Sequence, residues 1–329
     1  MAIESLLSTS IPDKSNSIEL RGLAAEKQKK DLVDLILKCQ NKLHLEIDSV
    51  MKFFSNIDTK KKLSPAFYLY SQNLREAINS SSLTTILDAI QSIHWLQSYG
   101  VYEPDLRISS ILSEYWEQQY IQVMRNYRQK NLCGESTIVR PIFNIDSHKR
   151  NIEEALKLIE LGDVDISNEI KELVTSIKLF QGRVLRGQAS GDTFGAMWLK
   201  IPDPNDDQVG YWIEHIVHEV SHIKLHAMFF QEKLVLNPDN ELKFRAPIRD
   251  DLRPMLGVFH ATFVLARMVR VFKNLSFKGY VARFRDRLQL CELQFEIGLN
   301  SVHSKEAKLS DNGKKIRDSF KTCALIKES

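Results

Sequence analysis

Cysteine is scarce and scattered: four in 329 residues, Cys39, Cys133, Cys291 and Cys323, with no C-x-x-C pair among them. That spacing excludes a zinc ribbon or a dense disulfide framework and suits a reducing cytoplasm, the expected location. An excess of one charge is also missing. Forty-five basic residues against 42 acidic ones leave +3, too little for an electrostatic claim on nucleic acid. The start, Met-Ala-Ile-Glu-Ser, has no cationic stretch leading into an apolar core, so no signal peptide is expected. No run of about 18 apolar residues stands out, which speaks against a membrane span.

What is present is ordinary globular material, 43% hydrophobic and 26% charged, long enough for one large core or two modest ones. The pattern is mainly α. Residues 1–20 are polar and serine-rich and read as a loose terminus. Helical periodicity begins at Leu20, and Pro65 opens another helix. Ser80-Ser-Ser-Leu-Thr-Thr forms a cap for a helix that Gly100 closes. A helix is predicted over 108–127, a strand in Gly134–Phe143, and two helices over 151–181 broken at Gly162. A β-hairpin follows, with strands near 183–188 and 195–202 turning at Ser190-Gly-Asp. A helix from Trp212, a loop over 237–254, two long helices over 255–273 and 277–303, and a final helix from Ser310 to about Lys327 complete the chain. The predicted architecture is a helical bundle with a small β-hairpin or sheet beside the helix that starts at Trp212. Residues 1–135 form an N-terminal helical region and 136–329 the region that carries the chemistry. The basic residues between Arg267 and Arg287 read as a solvated helix face.

The chemistry is concentrated in Trp212-Ile-Glu-His-Ile-Val-His-Glu-Val-Ser-His-Ile-Lys-Leu-His226. His218-Glu219-Val220-Ser221-His222 is an H-E-x-x-H pattern, and histidines four apart on a helix share one face and can reach one metal ion. With nine histidines in the chain, composition alone yields this pattern in roughly one chain in a hundred. His215 and His226 extend the same stripe, and His222 with His226 makes a second pair at the same spacing. Glu219, bracketed by the first pair, is a candidate base, ligand partner or orienting group.

A zinc peptidase is the first chemistry this pattern suggests, two histidines holding zinc while the glutamate activates water. Its third ligand is hard to find. The metzincin extension fails because Met228 stands where the final histidine belongs, and no glutamate occurs between Glu241 and Glu292. Downstream lies His260, in an otherwise apolar helical stretch. Before it come Arg245, Arg249 and Arg253, interleaved with Pro247, Asp250, Asp251 and Pro254, a composition suited to capturing a carboxylate. The triad-like spacing His44-Leu-Glu46 sits far upstream and is read as coincidence. Trp198 reads as core.

Taken together, Ile216-Val-His-Glu-Val-Ser-His-Ile-Lys-Leu-His226 and Phe244-Arg-Ala-Pro-Ile-Arg-Asp-Asp-Leu-Arg-Pro-Met-Leu-Gly-Val-Phe-His260 resemble the HExxH-type 2-oxoglutarate-dependent peptide β-hydroxylases, over about residues 190–270. Ile248 departs from the aromatic expected there. The resemblance implies an iron(II), 2-oxoglutarate and dioxygen enzyme that hydroxylates a β-carbon in a ribosomally made precursor peptide. It implies His218 and His222 as metal ligands, His260 as the third with Glu219 as competitor or partner, and Arg249 or Arg253 as the 2-oxoglutarate anchor. The expected partner is the precursor peptide, with no nucleic acid or membrane. Residues 1–135 would serve peptide recognition, homodimer contact or packing support.

Overall fold

A computed structural model of the chain describes residues 6–43, 48–80, 82–131, 139–183 and 185–325. His44, Glu46, Cys133, the first part of the strand expected at Gly134 and the end of the last predicted helix lie outside them. The chain divides into two compact units of interleaved stretches. Unit 1 comprises Met1–Glu19, Asp146–Glu172 and Pro202–Ser329, and unit 2 comprises Leu20–Ile145 and Leu173–Ile201.

The elements are α1 (Lys14–Leu43), α2 (Asp48–Ser55), α3 (Pro65–Ser80), α4 (Leu83–Tyr99), β1 (Arg107–Ser110), α5 (Glu117–Asn131), β2 (Val139–Arg140), α6 (Asp146–Gly162), α7 (Val164–Leu173), β3 (Ser176–Gly182), β4 (Gly187–Ala189) and β5 (Ala196–Lys200). Then follow α8 (Gln208–Phe229), β6 (Phe244–Arg245), β7 (Leu252–Arg253), α9 (Met255–Leu275), α10 (Val281–Val302) and α11 (Asp311–Cys323). The fold is mainly α, as composition and periodicity predict.

Unit 2 packs helices against a mixed sheet in the order β1-β3-β5-β4, with β2 antiparallel on β3. The predicted hairpin forms as β4 against β5. Two helix predictions fail here. Arg107–Ser110 is a strand, and the helix expected over 108–127 begins only at Glu117. Ser176–Gly182 is the central strand, parallel to both β1 and β5, where a helix to about 181 was expected. Its run Ser-Ile-Lys-Leu-Phe is wholly buried, the signature of a strand covered on both faces, and a short apolar run of that kind has no period by which to tell it from helix. Lys178, 1% exposed in mid-strand, is balanced by Glu117 at 2.7 Å and by Glu114. Helix α4 follows its predicted signals. Ser82 accepts from Thr85 N, and Gly100 ends the helix at φ 90°, a conformation open to glycine.

Unit 1 is built on α9, which is buried around nearly its whole circumference. Helices α8, α10 and α11 pack along it, and a left-handed Gly279 (φ 98°) turns the chain from α9 into α10. A window within Met255–Val302 is apolar and long enough to cross a membrane by composition, but 78% of it is buried inside the molecule. Two of the arginines expected on a solvated face are core residues instead: Arg267 is fully buried and Arg270 is 4% exposed. They pair with Glu169 and Asp163, so their charges are neutralised inside the fold. The terminus expected to be loose is held as well. Leu6, Leu7 and Ser10 are buried, and Ser10 bonds to Ser319 at 2.8 Å. The loop over 237–254 contains the short antiparallel ladder β6–β7, which delivers the chain to α9.

Candidate metal centre

Helix α8 buries Trp212, Ile213, Ile216, Val217, Val220, Ile223 and Leu225 to 1% exposure or less. At roughly 1.5–3 kcal/mol for each large apolar side chain, that face fixes the rotation of the helix. What remains half-buried is the stripe His218, His222 and His226, one turn apart. Nε2 of His218 and Nε2 of His222 stand 3.2 Å apart. Two nitrogens each about 2.1 Å from one ion would be separated by roughly 3.0–3.4 Å at octahedral to tetrahedral angles, so the pair has a chelating spacing.

His260, in the second turn of α9, joins them. Its ring centroid is 5.6 Å from His222 and 5.7 Å from His226, and it lies on the Phe229 ring at 5.1 Å and 25°. Four imidazoles from two helices therefore share one neighbourhood. They do not converge fully: among the described residues, no three His, Cys, Asp or Glu side chains form a ready ligand set. The structure offers a formed pair with two further imidazoles whose ring centres lie 5.6 and 6.5 Å from that of His222.

The histidines are held neutral, as ligands must be. Burial lowers His218 to about 4, helped by the neighbouring His215, with Glu214 opposing. Burial and then His226 lower His260 to about 3. His222 lies well below its ordinary value through burial and the three imidazoles around it. Uncharged imidazole nitrogens of this kind are the donor type that divalent transition metals take.

Glu219 is 3% exposed, more deeply set than the two histidines that bracket it. His215, the fourth member of the stripe, turns inward. Its Nδ1–H donates to Tyr211 O at 2.9 Å and its ring stacks on Tyr211 at 3.9 Å, so it is part of the packing. Arg253 lies on β7 and pairs with Asp251 at 2.7 Å; Arg249 is exposed in the β6–β7 connection. Both arginines thus lie in the segment just before α9 and His260 in the chain. Trp198 is fully buried in unit 2, as expected of core.

Sequence reading missed what supports the histidine helix α8. Ser221 and Lys224, on the buried side of α8, enter a charged network with no outlet to solvent. Lys224 Nζ reaches Glu169 (2.9 Å), Ser17 (2.8 Å) and Asn16 (3.2 Å), while Arg267 reaches Ser221 and Glu169. Burial alone would raise Glu169, but Arg267 and Lys224 override it and bring its carboxyl down to about 2. The signal available was weak: one lysine and one serine facing inward on an apolar helix.

No family model matches the chain, and no curated protein sequence matches it significantly.

Proposed function

We propose that the protein is an iron(II)- and 2-oxoglutarate-dependent dioxygenase that hydroxylates a β-carbon in a ribosomally made precursor peptide. The observation that supports this reading is the meeting of His260 with the His218–His222 pair, shortly after the β6–β7 ladder that carries Arg253 and the connection that carries Arg249. The two halves of the paired motif, distant in sequence, belong to adjacent helices. His218, His222 and His260 would hold the metal, which when bound supplies the oxygen activation for C–H hydroxylation. Arg253, now paired with Asp251, or Arg249 would bind the remote carboxylate of 2-oxoglutarate and orient the co-substrate. Glu219 is too deeply set to serve as a solvent-facing base and suits a role in orienting its flanking histidines. That depth favours the oxygenase over a zinc peptidase, whose glutamate must meet the attacking water.

An anaerobic optical titration tests the proposal. Iron(II) followed by 2-oxoglutarate should develop a visible charge-transfer band that requires both and is absent in His218→Ala. Arg253→Ala, Arg249→Ala or the double variant should raise the 2-oxoglutarate concentration needed without altering iron binding. Tight stoichiometric zinc with no such band would move the assignment to peptide hydrolysis.

A further inference from the structure

Unit 2 contains an open cleft of about 1120 Å³ between α3, α4 and α5. Small-molecule sites run to roughly 300–1,000 Å³, so this one has room for more than a single cofactor-sized ligand. Asp88 and Ser92 of α4 line it at helical spacing, and the same stripe continues to Trp95 and Tyr99. Those two rings stack at 5.5 Å and 13°, and both meet Tyr115, itself a lining residue, at 5.2 and 4.8 Å. The three aromatics are exposed, whereas Trp116, Trp198 and Trp212 are buried. A stacked aromatic platform left in water adjoins the cleft.

Charge points the same way. Two lining carboxylates, Glu76 and Asp88, carry the charge of the cleft; Glu114 is already paired with Lys178 and Arg107, and the one cation among the described lining residues, Arg125, donates to Val139 O at 3.3 Å. An acidic groove ending on indole and phenol rings suits a cationic side chain, which gains from both the carboxylates and the ring faces. The polyanionic backbone of a nucleic acid would be repelled. At the rim, Leu112 is half exposed with φ 62°, the one non-glycine residue with positive φ among the described residues. Backbone strain of this kind, unrewarded by burial, recurs at ligand clamps.

We propose that this cleft docks an extended peptide segment carrying a lysine or arginine, the cation seated against Trp95, Tyr99 and Tyr115. The identity of the occupant as the substrate's recognition segment rests on the peptide-modifying reading above. The groove itself is independent of the metal, so its test needs neither iron nor 2-oxoglutarate and can fail without touching the optical titration.

The probe is a fluorescein-labelled ten-residue peptide alternating lysine with serine, its glutamate counterpart serving as control, titrated into the full-length protein. The lysine peptide should bind, weaken with added salt, and shield Trp95 emission from acrylamide. Trp95→Ala and Asp88→Lys, both at exposed positions, should each weaken it about tenfold while leaving the circular dichroism and melting curve unchanged. Equal binding of the two peptides, binding unaffected by either substitution, or no binding at millimolar peptide would overturn the proposal. A concentration-dependent dimer in sedimentation velocity, abolished by Trp95→Ala, would assign the groove to a second copy of the chain and overturn it as well.

Discussion

Arg267 of α9 donates from Nε to Ser221 Oγ of α8 at 2.9 Å, both groups shut off from solvent. The same guanidinium reaches Ser10 O at 3.0 Å and pairs with Glu169. One side chain therefore ties the helix of His218 and His222 to the helix of His260, and both to the N-terminal segment. This contact on the buried side of α8 links the two helices that carry the imidazoles.

Arg267→Met should lower stability by roughly 3–5 kcal/mol, because Glu169 is left buried with Lys224 as its remaining cationic partner. Arg267→Lys should recover little, since an ammonium cannot serve Ser221, Ser10 and Glu169 together. Urea denaturation followed by circular dichroism measures both. A loss below about 1 kcal/mol for the methionine variant would show that the network contributes little.

The metal-free protein should lose stability as pH falls below about 6.5. His218 and His260 stay neutral in the fold down to about 4 and about 3, while the unfolded chain takes up protons from about 6.5 downward. The unfolded state thus binds more protons across that window, and acid favours it. Melting temperatures at pH 7.5, 5.5 and 4.5 in the presence of chelator should fall stepwise. The double variant His218→Gln/His260→Gln should flatten the trend.

Gly298→Ala should separate α10 from α9. A Cβ at Gly298 would lie 2.4 Å from Thr262 Oγ1, and that hydroxyl is held to Val258 O at 2.7 Å. The expected cost is about 1–3 kcal/mol of overpacking. Thr262→Ser keeps the hydroxyl and removes one close carbon, so the pair Gly298→Ala/Thr262→Ser should not fully recover. Equilibrium unfolding of the variants checks the ranking.

Among the histidines, His218→Ala or His222→Ala should weaken divalent-metal binding by at least about 100-fold, since each removes half of the formed pair. His226→Ala should cost about tenfold, as expected for a group that orients ligands. Isothermal titration with cobalt(II) gives the ordering. Equal losses at His222 and His226 would shift the pair by one turn.

The histidine pair of α8 was legible because its geometry is local: two histidines four apart on a helix are neighbours whatever the tertiary structure. His260 was reachable because a distinctive arginine- and proline-rich stretch precedes it. The strands at Arg107–Ser110 and Ser176–Gly182 were not: the first has only four residues, too few to show a period, and burial of the second on both faces erases the alternation that marks a strand. The same limit hid Arg267 and Arg270. A charge run looks solvated until its partners are known, and Glu169 and Asp163 lie about a hundred residues upstream. The N-terminal segment read as a loose terminus for the converse reason: Ser10, Asn16 and Ser17 serve a buried network that is visible only in three dimensions.

The interleaving of the two units sets an order for synthesis. Unit 2 has all its pieces once Ile201 has emerged, and can close while the histidine helix is still unmade. Unit 1 must wait for α8 and α9 before Glu169 finds Lys224 and Ser10 finds Arg267. Until then Glu169 has no buried cation to neutralise it, and Ser10 lacks both Arg267 and Ser319. The imidazole cluster is thus among the last parts of the molecule to be assembled, after the groove of unit 2 is complete.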